Sequence, residues 1–257
     1  MTDRVLDIGL EEALRRVASV PRLLVALDFD GVLAPIVPVP SDARPLPASA
    51  RAIEGLAGLA DTTVALVSGR GLDDLRAVSG FGSPLVLVGS HGGEFSDAGA
   101  DLLDDTQQTR RSDLLAELEK LIDGEPGVGL ERKPAGAAVH VRNATPDVAE
   151  RVLAAVRTGP AAASDIDAIE GKAVIDLAVV EVSKGGAIDV LRARTGADAV
   201  LFAGDDVTDE TGFARLGDGD VGIKVGEGPT AAAHRVTDPE AMSHVLGVLR
   251  DARSATR

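Results

Sequence analysis

Two aspartates one residue apart follow an apolar run near the start of the chain. The segment LLVALDFDGVLAPI, residues 23–36, places Asp28 and Asp30 directly after Leu27, and Gly31 follows them. Carboxylates at such a position can hold a hard cation, attack an electrophile or exchange a proton. Side chains alternate along a strand, so a turn at Gly31 is needed to bring both carboxylates to one cleft.

A calcium loop is a weaker interpretation of the same segment. An EF-hand loop follows a helix and needs further oxygen ligands and a terminal glutamate at set spacing. Here Val32, Leu33 and Ala34 occupy positions where ligands would be required. The pattern therefore favours a catalytic role for the two aspartates.

A second acidic cluster follows another apolar run. The segment LFAGDDVTDE, residues 201–210, carries Asp205, Asp206, Asp209 and Glu210. Alone, it would be typical of a solvated acidic loop. Paired with Asp28 and Asp30 at the ends of two core strands, such crowded carboxylates would repel each other unless a cation or proton intervened. Mg²⁺ suits such a site, because it binds a few carboxylates and keeps positions for water and a phosphate oxygen.

Two further features have the character of phosphate ligands. TTVALVSGR, residues 62–70, ends an apolar run in Ser68 and Gly69, where a hydroxyl and backbone N–H groups can bind an anion, although a simple turn is an equal alternative. Lys184 stands in the first turn of a predicted helix with Ser183 as its N-cap. A cation is unfavourable there unless it meets an anion, which weakens the alternative of an ordinary surface lysine.

Composition narrows the classes of protein and partner. The chain has 257 residues, 45% of them hydrophobic, which is enough for a substantial core. It has no cysteine, so disulfides and thiolate chemistry are excluded. Its net charge of −15 argues against binding nucleic acid or an anionic membrane and favours a small-molecule partner. The start of the chain lacks the pattern of a signal peptide and no segment is long enough to span a bilayer, so we expect a cytoplasmic protein.

The elements that must position these residues alternate between strands and helices. Short apolar runs bounded by turn residues predict buried strands at Leu23–Leu27, Thr63–Val67, Leu85–Val88, Ala199–Ala203 and Val221–Val225. This alternation predicts a parallel sheet with its site at the carboxyl ends of the strands. Residues 110–181 instead combine amphipathic helices with alternating strands. We therefore predict an α/β fold with a Rossmann-like core, residues 1–109 and 182–257, and an inserted α+β domain, residues 110–181.

At this point the sequence resembles the haloacid dehalogenase superfamily, whose four motifs it carries in order: DFDGVL, VSGR, Lys184 and GDDVTDE. The resemblance implies that Asp28 is the nucleophile and Asp30 the general acid and base. It also implies that Ser68 and Lys184 hold the phosphoryl group, and that the inserted domain is a cap of the second type. Mg²⁺ would be bound by Asp28, the Asp30 backbone carbonyl and Asp205, with Asp206 and Asp209 nearby.

Further segments are similar to trehalose-6-phosphate phosphatases: DFDGVLAPI, GSHGGE, ERKPAGAAVHVR, EGKAVIDL and GDDVTDETGF. This resemblance implies Mg²⁺-dependent hydrolysis of trehalose 6-phosphate through an aspartyl-phosphate. The residues that would contact the substrate are Arg70, His91, Glu131, Lys133, Arg142, Lys172 and Asp176. The chain departs from the family pattern at Val32, commonly Thr, at Ser183, commonly Asn, and at Asp176, commonly Glu.

Other functions remain open on the sequence alone. A phosphatase for another sugar phosphate, of the sucrose-6-phosphate or mannosyl-3-phosphoglycerate type, would share the core and differ in the cap segments. A non-catalytic regulator that binds a phosphosugar would be expected to lose Asp28, Asp30, Lys184 or Asp205, and all four are present. A phospho-acceptor receiver module also uses an acidic pocket and a lysine, but it has no use for so long an insertion. The oligomeric state and the use of other divalent metals are not indicated by the sequence.

Overall fold

The apolar runs form the central strands of a mostly parallel sheet. The computed structural model of the chain describes residues 6–97, 103, 105–171, 173–180 and 182–256. The strands of this sheet are β1 (Leu23–Leu27), β2 (Thr62–Val67), β3 (Val86–Gly89), β4 (Glu94–Phe95), β9 (Ala199–Gly204), β10 (Val221–Val225) and β11 (His234–Val236). Their order is β11-β10-β9-β1-β2-β3-β4, with only β4 antiparallel to its neighbour. The predicted α/β class with a parallel core sheet is confirmed.

The predicted strands are found within one residue of their expected bounds. Buried central strands are easy to recognise because both faces are apolar, and all five residues of β1 and of β10 are buried. The edge strands β4 and β11 were not predicted. They have two and three residues and carry Glu94, His234 and Arg235, so no apolar run marks them.

Helices cover both faces of this sheet. They are α1 (Ile8–Ala18), α2 (Pro47–Ala57), α3 (Leu72–Ser79), α6 (Lys184–Thr195), α7 (Glu210–Phe213) and α8 (Pro239–Ala255). Leu23, Val25 and Leu27 share one hydrophobic cluster with residues of α1, α2 and α8. Alternation along β1 turns Leu24 and Ala26 to the opposite face, where α6 contacts β1 and β2. The sheet is thereby held rigidly behind the strand ends that carry the aspartates.

The start of α6 has the predicted N-cap. Ser183 Oγ accepts a hydrogen bond from Gly186 N at 3.0 Å, which satisfies a backbone donor that the first helical turn cannot pair. This cap fixes the position of the next residue, Lys184, at the carboxyl ends of the strands.

A buried arginine on α8 ties several chain segments together. Arg253 is 1% exposed, and its guanidinium donates to groups at the end of α1 and at the starts of β1 and β2. The acceptors are the carbonyl oxygens of Ala18, Val20, Pro21 and Asp61 and the hydroxyl of Thr62. A buried charge is tolerated here because hydrogen bonds surround it.

The second unit has its own sheet and core. Strands β5 (Gly129–Lys133), β6 (Gly136–His140), β7 (Asp167–Gly171) and β8 (Val174–Ala178) pair antiparallel in the order β5-β6-β8-β7, and the helices are α4 (Asp105–Ile122) and α5 (Pro146–Thr158). Alternate residues of β6 and β8 are buried in one cluster with apolar residues of both helices. The other face of the sheet carries Glu131, Lys133, His140 and Asp176, as the strand register requires.

The chain divides into two compact units. The first comprises Met1–Asp97 and Ser183–Arg257, and the second comprises Ala98–Val182. The second unit begins after Asp97, earlier than the boundary after residue 109 that the sequence predicts. That predicted boundary falls inside α4. The end of the second unit lies within one residue of the predicted one. The assignment of the second unit as a cap stays a prediction. Among the described residues, no helix has the length and apolar content needed to cross a membrane.

Candidate active site

A cleft of about 590 Å³ opens where the carboxyl ends of the central strands meet the start of α6. Residues directly after β1, β2 and β9 lie along it, as expected for an open α/β sheet. Several of the predicted catalytic, metal-binding and substrate-binding residues line this cleft: Asp28, Asp30, Ser68, Arg70, His91, Lys184, Asp205 and Asp206.

Asp28 is the first residue after β1 and is almost fully buried, with 5% of its surface exposed. Its backbone N–H donates to Ala203 O on β9 at 2.9 Å, and its Oδ1 accepts from Phe29 N at 2.7 Å. Lys184 Nζ lies 2.9 Å from its Oδ2. Burial raises the pKa of Asp28 to about 8, because the loss of hydration outweighs the stabilising charge of Lys184.

Lys184 is enclosed between two carboxylates. Its Nζ lies 2.9 Å from Asp28 and 2.7 Å from Asp209, and its side chain is 2% exposed. Burial lowers the pKa of Lys184, but the charges and hydrogen bonds of Asp28 and Asp209 outweigh burial and raise it overall. The ammonium group therefore stays charged at neutral pH, next to the nucleophile candidate.

Three carboxylates form a cluster that can hold a cation. One oxygen from each of Asp28, Asp205 and Asp209 lies within 4.8 Å of the others. Burial, followed by the charge of Asp209, raises the pKa of Asp205 to about 6, and Asp205 also hydrogen-bonds Asp28. A hydrogen bond between two carboxyls requires a shared proton, and a divalent cation can take the place of that proton.

Asp209 also braces the loop that carries Asp205. Its Oδ1 accepts from Lys184 Nζ, and its Oδ2 accepts from the backbone N–H groups of Asp205 and Asp206 at 3.0 and 2.9 Å. Asp209 is fully buried and is not among the residues that line the cleft, whereas Asp28 and Asp205 are, so these two carboxylates are better placed to bind a divalent cation. Gly31 permits their approach, because a Cβ there would lie 2.0 Å from Asp205 Oδ2.

Asp206 lies outside the acidic cluster of Asp28, Asp205 and Asp209, within the part of the chain described. Its side chain accepts from Val207 N at 2.7 Å and faces the cleft. The Asp30 carboxylate also lies apart from the cluster, because Arg70 binds both of its oxygens at 2.6 and 2.8 Å.

Ser68 and His91 form the wall next to Asp30. Ser68 is 1% exposed, and its Oγ accepts from Arg70 N at 3.2 Å. His91 has a φ of 57°, which residues other than glycine rarely adopt. Its ring lies against Gly69, where a Cβ would come within 2.6 Å of a ring carbon. Glycine is therefore required at position 69 by close packing against His91, in addition to the polar role of Ser68.

The residues expected to bind sugar lie on the second unit in two groups. Glu131 pairs with His140 at 2.8 Å, and Lys133 pairs with Asp176, all on the polar face of the sheet. Arg142, beyond the end of β6, lines a separate pocket of about 410 Å³. Lys172 lies outside the described residues. The structure thus brings Lys133 and Asp176 together, and places Arg142 elsewhere.

Lys224 at the first unit's site was not identified from the sequence. It is 4% exposed on β10, and its Nζ donates to Asp205 O at 2.6 Å and lies 3.9 Å from Glu210 Oε1. Its signal in the sequence was a lone charge within the apolar strand VGIKV, residues 221–225. A buried lysine requires a hydrogen-bond acceptor, so the lone charge in this strand could have indicated that Lys224 contacts one.

A family profile and several curated proteins match this chain. The trehalose-phosphatase family profile matches residues 26–240. A bifunctional trehalose-6-phosphate synthase/phosphatase of Thermoproteus tenax is 32% identical over 249 residues, which cover 95% of this chain and 34% of that protein. A trehalose-phosphate phosphatase of Mycobacterium marinum is 33% identical, covering 90% of this chain and 62% of its own length. The chain therefore spans less than two thirds of these curated relatives.

The fold also matches a solved structure. The C-terminal domain of Candida albicans trehalose-6-phosphate phosphatase superposes with a TM-score of 0.63 at 23% identity, covering 95% of this chain and 98% of that one. At that identity the match concerns the fold. Together with the family profile, which extends over most of the sequence, these findings show that the chain belongs to the trehalose-phosphatase family.

Proposed function

We propose that this chain is a Mg²⁺-dependent phosphatase that hydrolyses trehalose 6-phosphate through an aspartyl-phosphate intermediate. The observation that carries the proposal is the contact of buried Asp28 with Lys184 and Asp205 at the cleft. A carboxylate in this position has a fixed cationic neighbour and a second carboxylate with which to share a metal ion. Membership of the trehalose-phosphatase family supports the choice of substrate.

In the first half of the reaction, an oxygen of Asp28 attacks phosphorus and the bond from phosphorus to the sugar oxygen breaks. Asp30 donates a proton to the departing oxygen, so that the sugar leaves as a neutral alcohol. Lys184 and the Ser68 hydroxyl, which line the same cleft, hold the phosphoryl oxygens. The backbone bond from Phe29 N to Asp28 Oδ1 leaves Oδ2, the oxygen on the Lys184 side, for the attack.

In the second half, water attacks the phosphorus of the aspartyl-phosphate and the bond to Asp28 breaks. Asp30, now a carboxylate, accepts a proton from that water, so inorganic phosphate leaves and both aspartates return to their starting state. The net reaction consumes one water molecule and needs no other reactant. Asp30 lines the cleft, which allows it to serve both steps.

The donor set of Asp28 and Asp205 fits Mg²⁺, which takes a small number of carboxylate oxygens. When bound, Mg²⁺ would neutralise charge on the phosphoryl oxygens and help to align the reacting atoms. Asp209 would keep the Asp205 loop in place through its two backbone hydrogen bonds.

Substrate choice would lie with the second unit. Its polar sheet face offers carboxylates, an ammonium group and an imidazole, which can bond sugar hydroxyls as donors and acceptors. Asp176 supports the second candidate, a phosphatase for another sugar phosphate. Its side chain is shorter than the glutamate common in the family, and it is paired with Lys133.

Phosphate release from trehalose 6-phosphate, sucrose 6-phosphate, glucose 6-phosphate and p-nitrophenyl phosphate, with Mg²⁺ and with chelator, tests the proposal. We expect trehalose 6-phosphate to be hydrolysed fastest and chelator to stop the reaction. Asp28→Asn should abolish turnover while keeping the fold, as judged by circular dichroism.

Preference for another sugar phosphate would keep the mechanism and change the substrate. Retained turnover in Asp28→Asn would overturn the assignment of the nucleophile. No hydrolysis of any compound by the unaltered protein would favour a regulator that binds phosphosugars.

A further inference from the structure

The guanidinium group of Arg70 binds the Asp30 carboxylate through both of its oxygens. Arg70 Nε donates to Oδ2 at 2.6 Å, and Nη2 donates to Oδ1 at 2.8 Å. Two parallel bonds of this kind fix the plane of a carboxylate as well as its position. The sequence had suggested that Arg70 contacts the substrate.

Arg70 is itself held on several sides. Nη1 donates to Asp74 Oδ2 at 2.8 Å, and Nη2 donates to Pro40 O at 2.9 Å. The guanidinium carbon lies 5.7 Å from the centre of the Phe29 ring, and the side chain is 11% exposed. These contacts come from α3, from the loop before α2 and from the loop after β1, so the group cannot shift without disturbing all three.

Most N–H donors of the Arg70 guanidinium are already used within the protein, so few remain for a substrate. A guanidinium has five N–H donors. Four hydrogen bonds to Asp30, Asp74 and Pro40 use four of them. Bidentate binding of a phosphate needs two N–H donors aimed at the ligand, and these four bonds leave only one, on Nη1.

We propose that Arg70 is a positioning residue that orients Asp30 for proton transfer and does not itself bind the substrate. This inference rests on the proposed function, in which Asp30 serves the departing sugar oxygen and then the attacking water. Proton transfer requires a donor–acceptor distance of about 2.6–3.2 Å, so loss of orientation slows it even when the carboxyl group is present.

The consequence depends on the leaving group. An alkoxide such as the sugar oxygen needs a proton to leave, whereas p-nitrophenolate, a stable anion, does not. Arg70→Ala should therefore lower turnover of trehalose 6-phosphate by about 10²-fold or more, the range for loss of a general acid. With p-nitrophenyl phosphate the first equivalent of nitrophenol should still be released rapidly. Hydrolysis of the aspartyl-phosphate should then become slow, because the base that activates water is misplaced.

The experiment compares Arg70→Ala, Arg70→Lys and the control Arg76→Ala by steady-state and stopped-flow assays with both substrates. Arg76 lies on α3, the helix that follows Arg70, and pairs across the surface with Asp73, so Arg76→Ala should behave as wild type. Arg70→Lys keeps the charge but cannot form two parallel bonds, so we expect it to recover less than full activity. If Arg70→Ala fails to fold, Arg70→Lys carries the test.

The expected result is a burst of about one equivalent of nitrophenol in the Arg70 variants, absent in the wild type and in Arg76→Ala. A parallel rise in KM for both substrates with kcat preserved would instead identify Arg70 as a substrate ligand and overturn the inference. Variants that match Arg76→Ala would also overturn it. An inactive wild-type protein would overturn the proposed function and, with it, the role of Arg70.

Discussion

Binding of Mg²⁺ should release protons, and the amount follows from the environments of Asp28 and Asp205. Burial raises the pKa of the first to about 8 and of the second to about 6 in the absence of a cation. Carboxylates must lose their protons before they ligate a metal ion. The acidic cluster should therefore exchange protons for Mg²⁺ across the neutral range, where surface carboxylates are already ionised.

The magnitude can be worked out from these two values. At pH 7 a group with a pKa near 8 is about nine-tenths protonated and one with a pKa near 6 about one-tenth, so about one proton leaves for each ion bound. At pH 5 the expected release is about two protons, and at pH 9 about a tenth of one. The apparent affinity for Mg²⁺ should then rise by roughly tenfold for each pH unit between 6 and 8.

Isothermal titration calorimetry measures this release. The heat of Mg²⁺ binding at one pH is recorded in several buffers with different ionisation enthalpies, and the slope equals the number of protons exchanged. Asp28→Asn should remove most of the release at pH 7. The control Asp206→Asn should retain it, because Asp206 lies outside the acidic cluster. A slope near zero at pH 7 would refute the reasoning that Asp28 and Asp205 share a proton before the ion binds.

Three further outcomes concern stability. Because the folded-state pKa of Asp28 lies above its unfolded value, the metal-free protein should lose free energy of unfolding as pH rises from about 4 to about 8, and chemical denaturation with chelator at several pH values measures this. Arg253→Met should lower the free energy of unfolding by about 3 kcal/mol or more, because it leaves buried carbonyls without donors. Arg250 is more exposed, so Arg250→Met should lower it little. Equal unfolding midpoints in urea for the two variants would contradict this. Ser183→Ala should cost about 1 kcal/mol and Ser183→Asn much less, because Asn can also cap a helix, and thermal unfolding distinguishes the two.

The fold could be predicted where a strand is buried on both faces, because such a strand is a continuous apolar run in the sequence. Strands β1 and β10 are buried on both faces, so each is an unbroken apolar run with recognisable ends. The meeting of Asp28 and Asp205 was also predicted, because each comes directly after an apolar run expected to be a core strand, and the structure shows that these two strands are neighbours. The start of α4 is harder to locate from the sequence, because its polar first turns carry no apolar periodicity until Leu114.

Side-chain partnerships were harder to predict. Arg70 and Asp30 are 40 residues apart, and their pairing depends on how the loop after β2 folds against the loop after β1, which no local sequence pattern specifies. The lone charge of Lys224 in an apolar strand indicates that it needs an acceptor, but not that this acceptor is the backbone carbonyl of Asp205. Such contacts are decided by the packing of segments that are distant along the chain.

The two aspartates of the opening motif thus occupy different surroundings although only Phe29 separates them. Asp28 lies in the buried cluster beside Lys184, while Asp30 is half-buried and held by Arg70. The Phe29 side chain between them is buried in the hydrophobic core. These surroundings suit the two roles that we propose: bond formation needs positive charge beside the phosphoryl group, and proton transfer needs a carboxyl group held in a fixed direction. Paired groups in contrasting environments commonly take different parts in acid–base chemistry.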